Sequence, residues 1–96
     1  MVIGVCRVTL TIDGAFSLKD KRSVVKSIIS KVKARYNASI AEVGMNDAWK
    51  NAVLGIACVS NETAHVDRML EDIVRFIESD RRVVLVNYST EKIHVN

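Results

Sequence analysis

The chain has 96 residues, of which 49% are hydrophobic and 26% are charged. This length suits one domain and excludes two, and the hydrophobic content excludes an intrinsically disordered chain. Only 5% of the residues are aromatic, so the predicted core is aliphatic. The formal net charge of +3 is compatible with a nucleic-acid partner but does not require one. We therefore predict a single domain over residues 1–96.

The sequence shows no membrane segment and no metal site. No apolar stretch approaches the roughly 20 residues that span a bilayer, and the first residues do not have the pattern of a signal peptide. We expect a cytoplasmic protein without membrane association. Cys6 and Cys58 match no ligand or redox spacing and are predicted to be buried free thiols. His65 and His94 have no partner at a metal-ligand spacing, so neither a metal nor a cofactor is expected.

The first two predicted elements are a strand and a helix. Residues 2–12 place apolar side chains at alternate positions, which is the period of a half-buried strand. Ser17 is the predicted N-cap of a helix, and Asp20 lies three residues later, as in a capping box. Apolar residues then recur at helical spacing as far as Tyr36. Asn37 is the predicted stop.

Two strands are predicted after this helix. Residues 39–44 form a short apolar strand, and residues 45–47 form a turn. Residues 49–60 are rich in Val, Ile and Ala, which is typical of a buried strand. Gly55 lies inside that strand, where we expect it to mark a bulge or a close approach by another backbone.

The last two predicted elements are again a helix and a strand. Asn61 or Thr63 is the expected cap of the second helix, whose apolar residues give the clearest helical pattern in the chain. The helix is predicted to end at Asp80. Residues 82–95 form the last predicted strand, with a bend near Asn87.

The predicted order is therefore β-α-β-β-α-β. Right-handed crossovers place both helices on one face of a four-stranded antiparallel sheet. The fold class is α+β, a ferredoxin-like sandwich in which the first and third strands are neighbours.

Several short segments show a family resemblance that extends over most of the chain. They are residues 3–5 (IGV), 17–22 (SLKDKR), 39–43 (SIAEV), 47–49 (Asp-x-Trp) and 54–60 (LGIACVS). In these segments the chain resembles the YlxP-like proteins, a small bacterial family of unknown function. The resemblance implies a ferredoxin-like fold and a genomic neighbourhood among translation and ribosome-maturation factors. It therefore implies a connection with RNA or the ribosome, and it implies no catalytic residues.

The predicted first helix is strongly basic. At about 100° per residue, four of its cations fall within roughly 60° of one another: Lys19, Arg22, Lys26 and Lys33. Beside them lies a stripe of small residues: Ser23, Ser27, Ser30 and Ala34. Such a groove suits contact with a phosphate backbone. Two other interpretations stay open, a solvated face and a docking surface for an acidic partner such as the second helix of another copy.

The sheet face opposite the helices is predicted to be open. On the first strand it displays Ile3, Val5, Arg7, Thr9 and Thr11. RNA-recognition domains of this topology stack bases on aromatic residues in the central strands, and here only Trp49 lies near that position. A partly apolar open face favours pairing with a second copy, so a homodimer through the sheet is expected.

Three further side chains are candidates for a ligand-binding or structural role. If Glu42 points outward on the open face, it could pair with Arg7 or Lys50, and we expect such a structural ion pair in preference to ligand binding or general-base chemistry. Asp47 and Trp49 are expected to organise the turn and to anchor it by packing.

These observations lead to one hypothesis and two alternatives. The leading hypothesis is a non-enzymatic protein that associates weakly with RNA or the ribosome through Lys19, Arg22, Lys26 and Lys33. The alternative is a homo-oligomeric protein–protein module that binds no nucleic acid. The third is an enzyme whose site lies between subunits, although no catalytic residue is predicted in this chain.

Overall fold

Four strands and two helices follow one another along the chain in the predicted order β-α-β-β-α-β. The computed structural model describes all of residues 1–96. The elements are β1 (Val2–Ile12), α1 (Leu18–Arg35), β2 (Ser39–Gly44), β3 (Asn51–Ser60), α2 (Thr63–Glu78) and β4 (Val83–His94). The strands form one antiparallel sheet in the order β2-β3-β1-β4. This confirms the predicted ferredoxin-like α+β fold.

The core lies between the sheet and the two helices. Even-numbered residues of β1, such as Val8 and Leu10, are fully buried, whereas the odd-numbered residues face away from the helices. Helix α1 adds Ile28 and Val32 to the same cluster, and α2 adds a row that includes Leu70. Because the buried residues are almost all aliphatic, burial of these side chains is the main source of stability. Neither helix has both the length and the apolar character needed to cross a membrane.

The close packing of α2 against β1 depends on a glycine, which has no side chain. Gly4 lies under α2, and a Cβ atom there would overlap Cγ1 of Val66 and lie 3.0 Å from Cδ1 of Leu70. Val66 is β-branched and has one strongly preferred rotamer in a helix, so it could not turn aside. The glycine therefore lets the helix approach the central strand closely.

Helix α1 begins as predicted, with a variation of the capping box. The Ser17 hydroxyl accepts a hydrogen bond from the Asp20 backbone N–H at 3.1 Å. The Asp20 carboxylate accepts from the backbone N–H of Phe16 at 3.1 Å, one residue before the N-cap. The helix ends at Arg35 with Tyr36 as its C-cap, so the predicted stop at Asn37 lies just beyond the helix.

The predicted cap of α2 is wrong. Glu62 is the N-cap residue, and its side chain makes no capping hydrogen bond. Thr63 is already helical, and the hydroxyl that accepts from the Glu62 N–H, at 3.3 Å, belongs to Ser60. With so little capping, α2 owes its stability to its apolar face.

The close approach predicted at Gly55 is made by a side chain. Ala41 lies opposite Gly55, and the β2–β3 register then slips between Glu42 and Gly44, which leaves Val43 as the extra residue. A Cβ atom on Gly55 would lie 2.9 Å from Cγ1 of Val43. The bulge is therefore in β2, and Gly55 leaves room for the bulged valine.

The ends of the last two predicted strands shift by one or two residues. β3 begins at Asn51, so Trp49 belongs to the preceding loop. β4 begins at Val83, and its register slips where Leu10 and Thr9 of β1 face Leu85 and Asn87. This irregularity confirms the bend predicted near Asn87.

The two cysteines are buried free thiols on neighbouring strands. Cys6 lies opposite Ile56, and Cys58 lies opposite Gly4, so both face the helices. Burial, and then the proximity of Cys58, raises the pKa of Cys6 to about 11. Burial also raises the pKa of Cys58. Both groups are protonated at neutral pH, which makes them poor nucleophiles.

Candidate functional site

Helix α1 displays a set of exposed cations that have no anionic partner. They are Lys19, Arg22, Lys26, Lys31, Lys33 and Arg35, and none of them forms an ion pair. On α2, by contrast, exposed Arg75 pairs with Glu71 at 2.6 Å. Like charges three or four residues apart destabilise a helix, and cations in its first turn oppose the helix dipole. Lys33 and Arg35 lie in the last turn, where cations interact favourably with the helix dipole. The cations nearer the start of α1 do not stabilise the helix in this way.

Three of the four predicted phosphate contacts line one groove. Arg22, Lys26 and Lys33 lie along the side of α1 that faces edge strand β2, and Glu42 of β2 completes the groove. We call this the outer groove. Its volume is about 410 Å³, and its remaining lining residues are Val25, Ile29 and Ser30. Lys19, the fourth predicted contact, is exposed at the start of the helix and does not line the groove.

The other two exposed cations of α1 belong to a second depression. Lys31 and Arg35 line a cavity of about 640 Å³ between α1, α2 and the start of β4. We call this the inter-helix cavity. Its lining residues are Ile28, Lys31, Ala34, Arg35, Phe76, Ile77, Ser79, Asp80 and Arg82. The cations of α1 are thus divided between two sites on opposite sides of the helix.

The predicted stripe of small residues is not one continuous groove. Ser30 lines the outer groove, whereas Ala34 lines the inter-helix cavity. The Ser27 hydroxyl accepts a hydrogen bond from Nη2 of Arg82 at 3.2 Å, on the side of the inter-helix cavity. The stripe therefore separates the two sites and does not form a continuous binding surface for one ligand.

Lys21 differs from the other cations of α1 because its side chain is 0% exposed. Its Nζ atom lies 2.6 Å from Oε2 of Glu42. It donates hydrogen bonds to the carbonyl oxygens of Met45 at 2.8 Å and of Asn46 at 3.3 Å. Oε2 accepts no hydrogen bond of good geometry, so the contact with Glu42 is mainly a charge–charge interaction. Lys21 therefore joins α1 to both β2 and the following loop.

Glu42 does not face the open side, so neither Arg7 nor Lys50 is its partner. Glu42 lies opposite Leu54, a core residue, so its side chain shares the face that the helices cover. It is therefore remote from the open face of Arg7, and its ion-pair partner is Lys21. The expectation that Glu42 forms a structural ion pair is confirmed, with a different partner.

The sequence did contain a signal for the buried pair. Glu42 has the same parity in β2 as Ile40, which is buried. Lys21 lies four residues before Val25 and seven before Ile28, on the apolar stripe of α1. The periodicity of the sequence therefore indicates a core position for both residues. Because both side chains are charged, neither was recognised as a core residue.

The loop between β2 and β3 is held by backbone contacts and not by the predicted side chains. The Ala48 N–H donates to the carbonyl oxygen of Met45 at 3.0 Å, and Met45 has a φ of 57°. Asp47 is exposed and its side chain makes no hydrogen bond, so the role expected for it is wrong. Trp49 is 42% exposed, with the Lys50 ammonium 5.3 Å from its ring centroid. Trp49 is therefore not a packing anchor, and Lys21 holds this loop instead.

These features define a small ferredoxin-like domain with a basic first helix above a buried lysine–glutamate pair. The chain belongs to the family described as "Protein of unknown function (DUF503)", whose sequence profile matches residues 3–90. It is 37% identical over 78 residues to the "Uncharacterized protein YlxP" of Bacillus subtilis (strain 168). That alignment covers 81% of this chain and 85% of the relative. The family resemblance is confirmed.

A solved structure supports the fold alone. The "De novo designed protein Foldit4" superposes with a TM-score of 0.52 over 99% of this chain and 98% of its own, at 15% sequence identity. At this level of identity the similarity carries no information about function.

Replacement of Lys21 by Met is expected to destabilise the protein by about 3–5 kcal/mol. The variant leaves the Glu42 carboxylate without a cation in a largely buried site, and it frees two carbonyl oxygens. Glu42→Gln is expected to cost a similar amount, because the fully buried Lys21 ammonium keeps both carbonyl partners but loses its counter-charge. Urea denaturation followed by circular dichroism measures both changes.

Lys26→Met is the matched control for this prediction, since Lys26 is an exposed cation on the same helix without an ion pair. It should change the free energy of unfolding by less than about 0.5 kcal/mol. A Lys21→Met variant as stable as this control would show that the buried pair does not stabilise the fold.

Proposed function

We propose that this protein is a non-enzymatic binding protein that associates weakly with RNA through the outer groove. The observation that supports the proposal is the convergence of Arg22, Lys26 and Lys33 in one groove, with no anionic partner for any of them. A phosphate backbone is the ligand that satisfies a row of such cations, and the release of its counterions drives binding.

The length of this row of three cations suits an extended RNA backbone. At 1.5 Å per residue, Arg22 and Lys33 lie about 16 Å apart along the helix axis. Lys26 lies between them on the same side. The row is long enough to contact several successive phosphates. Arg22 can hold a phosphate with two hydrogen bonds, whereas the lysines act as point charges.

The buried ion pair makes the groove more favourable for an anion. Glu42 is the one carboxylate that lines the outer groove, and its side chain is 15% exposed. The ammonium of Lys21 offsets its charge from within the protein. The cations at the rim therefore face no free carboxylate.

The lining of the groove favours backbone contact over base recognition. Its floor is formed by the aliphatic side chains of Val25 and Ile29, and it contains no aromatic residue. Unpaired bases are usually held by stacking on aromatic rings, and sequence is read at base edges. We therefore expect low sequence selectivity. The neighbourhood among translation factors that the family resemblance implies makes ribosomal RNA the first RNA to test.

Simultaneous replacement of Arg22, Lys26 and Lys33 by Glu should weaken RNA binding by well over tenfold. The wild-type affinity should fall with salt at a log–log slope of about −2, since three phosphates of a single strand are neutralised at about −0.7 each. The variant should lose this slope. Fluorescence anisotropy with a short labelled single-stranded RNA of mixed sequence measures both quantities.

A second triple variant controls for overall charge. Lys50, Arg68 and Arg81 are exposed cations outside α1 that form no ion pair, and their replacement by Glu changes the net charge by the same amount. It should bind RNA nearly as well as the wild type. Equal losses in the two variants, or no loss in the first, would refute the proposed interface.

The open sheet face supports homodimerisation as a second candidate function. Ile3 of β1 lies between Val59 of β3 and Ile93 of β4 in the register, so three aliphatic side chains form a row across three strands. Val59 is 57% exposed and Ile93 is 48% exposed. An aliphatic row of this kind is buried when a second copy packs against the same face.

If the protein dimerises through this face, Val59→Lys should convert the dimer to a monomer without loss of fold, because Val59 contributes little to the core. Sedimentation equilibrium over a range of concentrations measures the mass, and circular dichroism checks the fold. A wild-type protein that is monomeric at every concentration would rule out the dimer and leave the RNA proposal intact.

A further inference from the structure

We infer that the inter-helix cavity is a binding site for a small phosphate monoester that bears an apolar group. The inference is independent of the proposed RNA interface, because the cavity and the outer groove share no lining residue.

The cavity has the size and lining of a small-molecule site. Its volume of about 640 Å³ falls in the usual range for ligand pockets, and such pockets combine apolar walls with a few polar groups. Here Phe76 and Ala34 supply most of the apolar wall, because Ile28 and Ile77 are almost completely buried beneath it. The guanidinium groups of Arg35 and Arg82 lie at the same cavity, together with the ammonium of Lys31. The charged groups would hold an anion, and the wall would hold an attached apolar group.

The carboxylate in the cavity is already fully engaged. Oδ1 of Asp80 accepts hydrogen bonds from the backbone N–H and Nε of Arg82, both at 2.9 Å, and Oδ2 accepts from Nη2 at 2.7 Å. The hydrogen bonds from Arg82 lower the pKa of Asp80 to about 2, so this pair persists at neutral pH. Asp80 therefore fixes the arginine in place, and its charge is balanced by that arginine.

Two cations form no ion pair, although the charge of Lys31 also helps to lower the pKa of Asp80. Lys31 and Arg35 are four residues apart on α1, where like charges repel. The Arg35 guanidinium is held 4.7 Å from the ring centroid of Phe76, and the Tyr36 ring packs edge-on against Phe76 at 5.8 Å. Arg35 is therefore positioned at the cavity, although no acidic group in the protein binds it.

The charge and the wall together define the class of ligand. A phosphate monoester carries between one and two negative charges at neutral pH and presents three acceptor oxygens. It would match the two unpaired cations, with the anchored Arg82 beside them. A bare inorganic phosphate would leave the apolar wall in contact with water. A neutral apolar compound would leave the cations unpaired.

Three probes separate these contributions: phenyl phosphate, inorganic phosphate and phenol. Each is titrated into the ¹⁵N-labelled protein, and amide shifts are followed by NMR. Phenyl phosphate should shift the signals of residues 27–35 and 76–82. Inorganic phosphate should bind more weakly at the same residues, and phenol should cause no comparable shift. An absence of saturable shifts with phenyl phosphate would overturn the inference.

A pair of double variants tests the assignment to this cavity. Lys31→Gln with Arg35→Gln should weaken phenyl phosphate binding about tenfold or more, since two charge-assisted hydrogen bonds are lost. Arg22→Gln with Lys33→Gln makes the same charge change in the outer groove and should leave the affinity unchanged. Equal weakening in both would show non-specific attraction to a basic protein and overturn the inference. RNA binding should depend on the second pair and not on the first, so the two proposals can fail separately.

Discussion

The buried contact between Lys21 and Glu42 is the interaction on which the arrangement of this protein depends. A lysine with no exposed side-chain surface is tolerated only where charge and hydrogen bonds replace the lost water. Here one carboxylate and two loop carbonyl oxygens do so. The contact ties α1 to edge strand β2 and to the loop that follows it. The position of the outer groove, which lies between these elements, is set by this contact.

Periodicity was sufficient to predict most of the fold. The alternation in β1 and the apolar face of α2 indicated their structures directly, and the helical spacing of Arg22, Lys26 and Lys33 placed them on one side of α1. The failures have local causes. Glu62 occupies the cap of α2 without using its side chain, and the bulge at Val43 depends on tertiary packing over Gly55. Neither is encoded in residue type alone.

The buried pair of Lys21 and Glu42 was missed for a different reason. Their periodicity placed both on buried faces, and residue type outweighed it, because isolated lysine and glutamate are almost never fully buried. The two residues are 21 apart in the chain, so neither position alone reveals the partner that makes burial acceptable. A charged residue on an otherwise apolar stripe is therefore a signal to search for a second one of opposite sign.

Several residues in the segments that show the family resemblance have a structural role. Gly4 gives room to α2, Ser17 caps α1, Lys21 and Glu42 meet in the interior, and Gly55 lies under Val43. Arg22 differs from these, because it is exposed and has no partner in the protein. The fold thus accounts for these five residues, and the unpaired cations of α1 are what a function must explain.

The most direct test of this account is sedimentation of the tagged protein with ribosomes through a sucrose gradient, at low and at high salt. The account predicts that the protein migrates with a ribosomal subunit at low salt and is released as the salt concentration rises, because the contact is made to phosphates. A protein that remains at the top of the gradient under both conditions would contradict a ribosomal role for the basic helix.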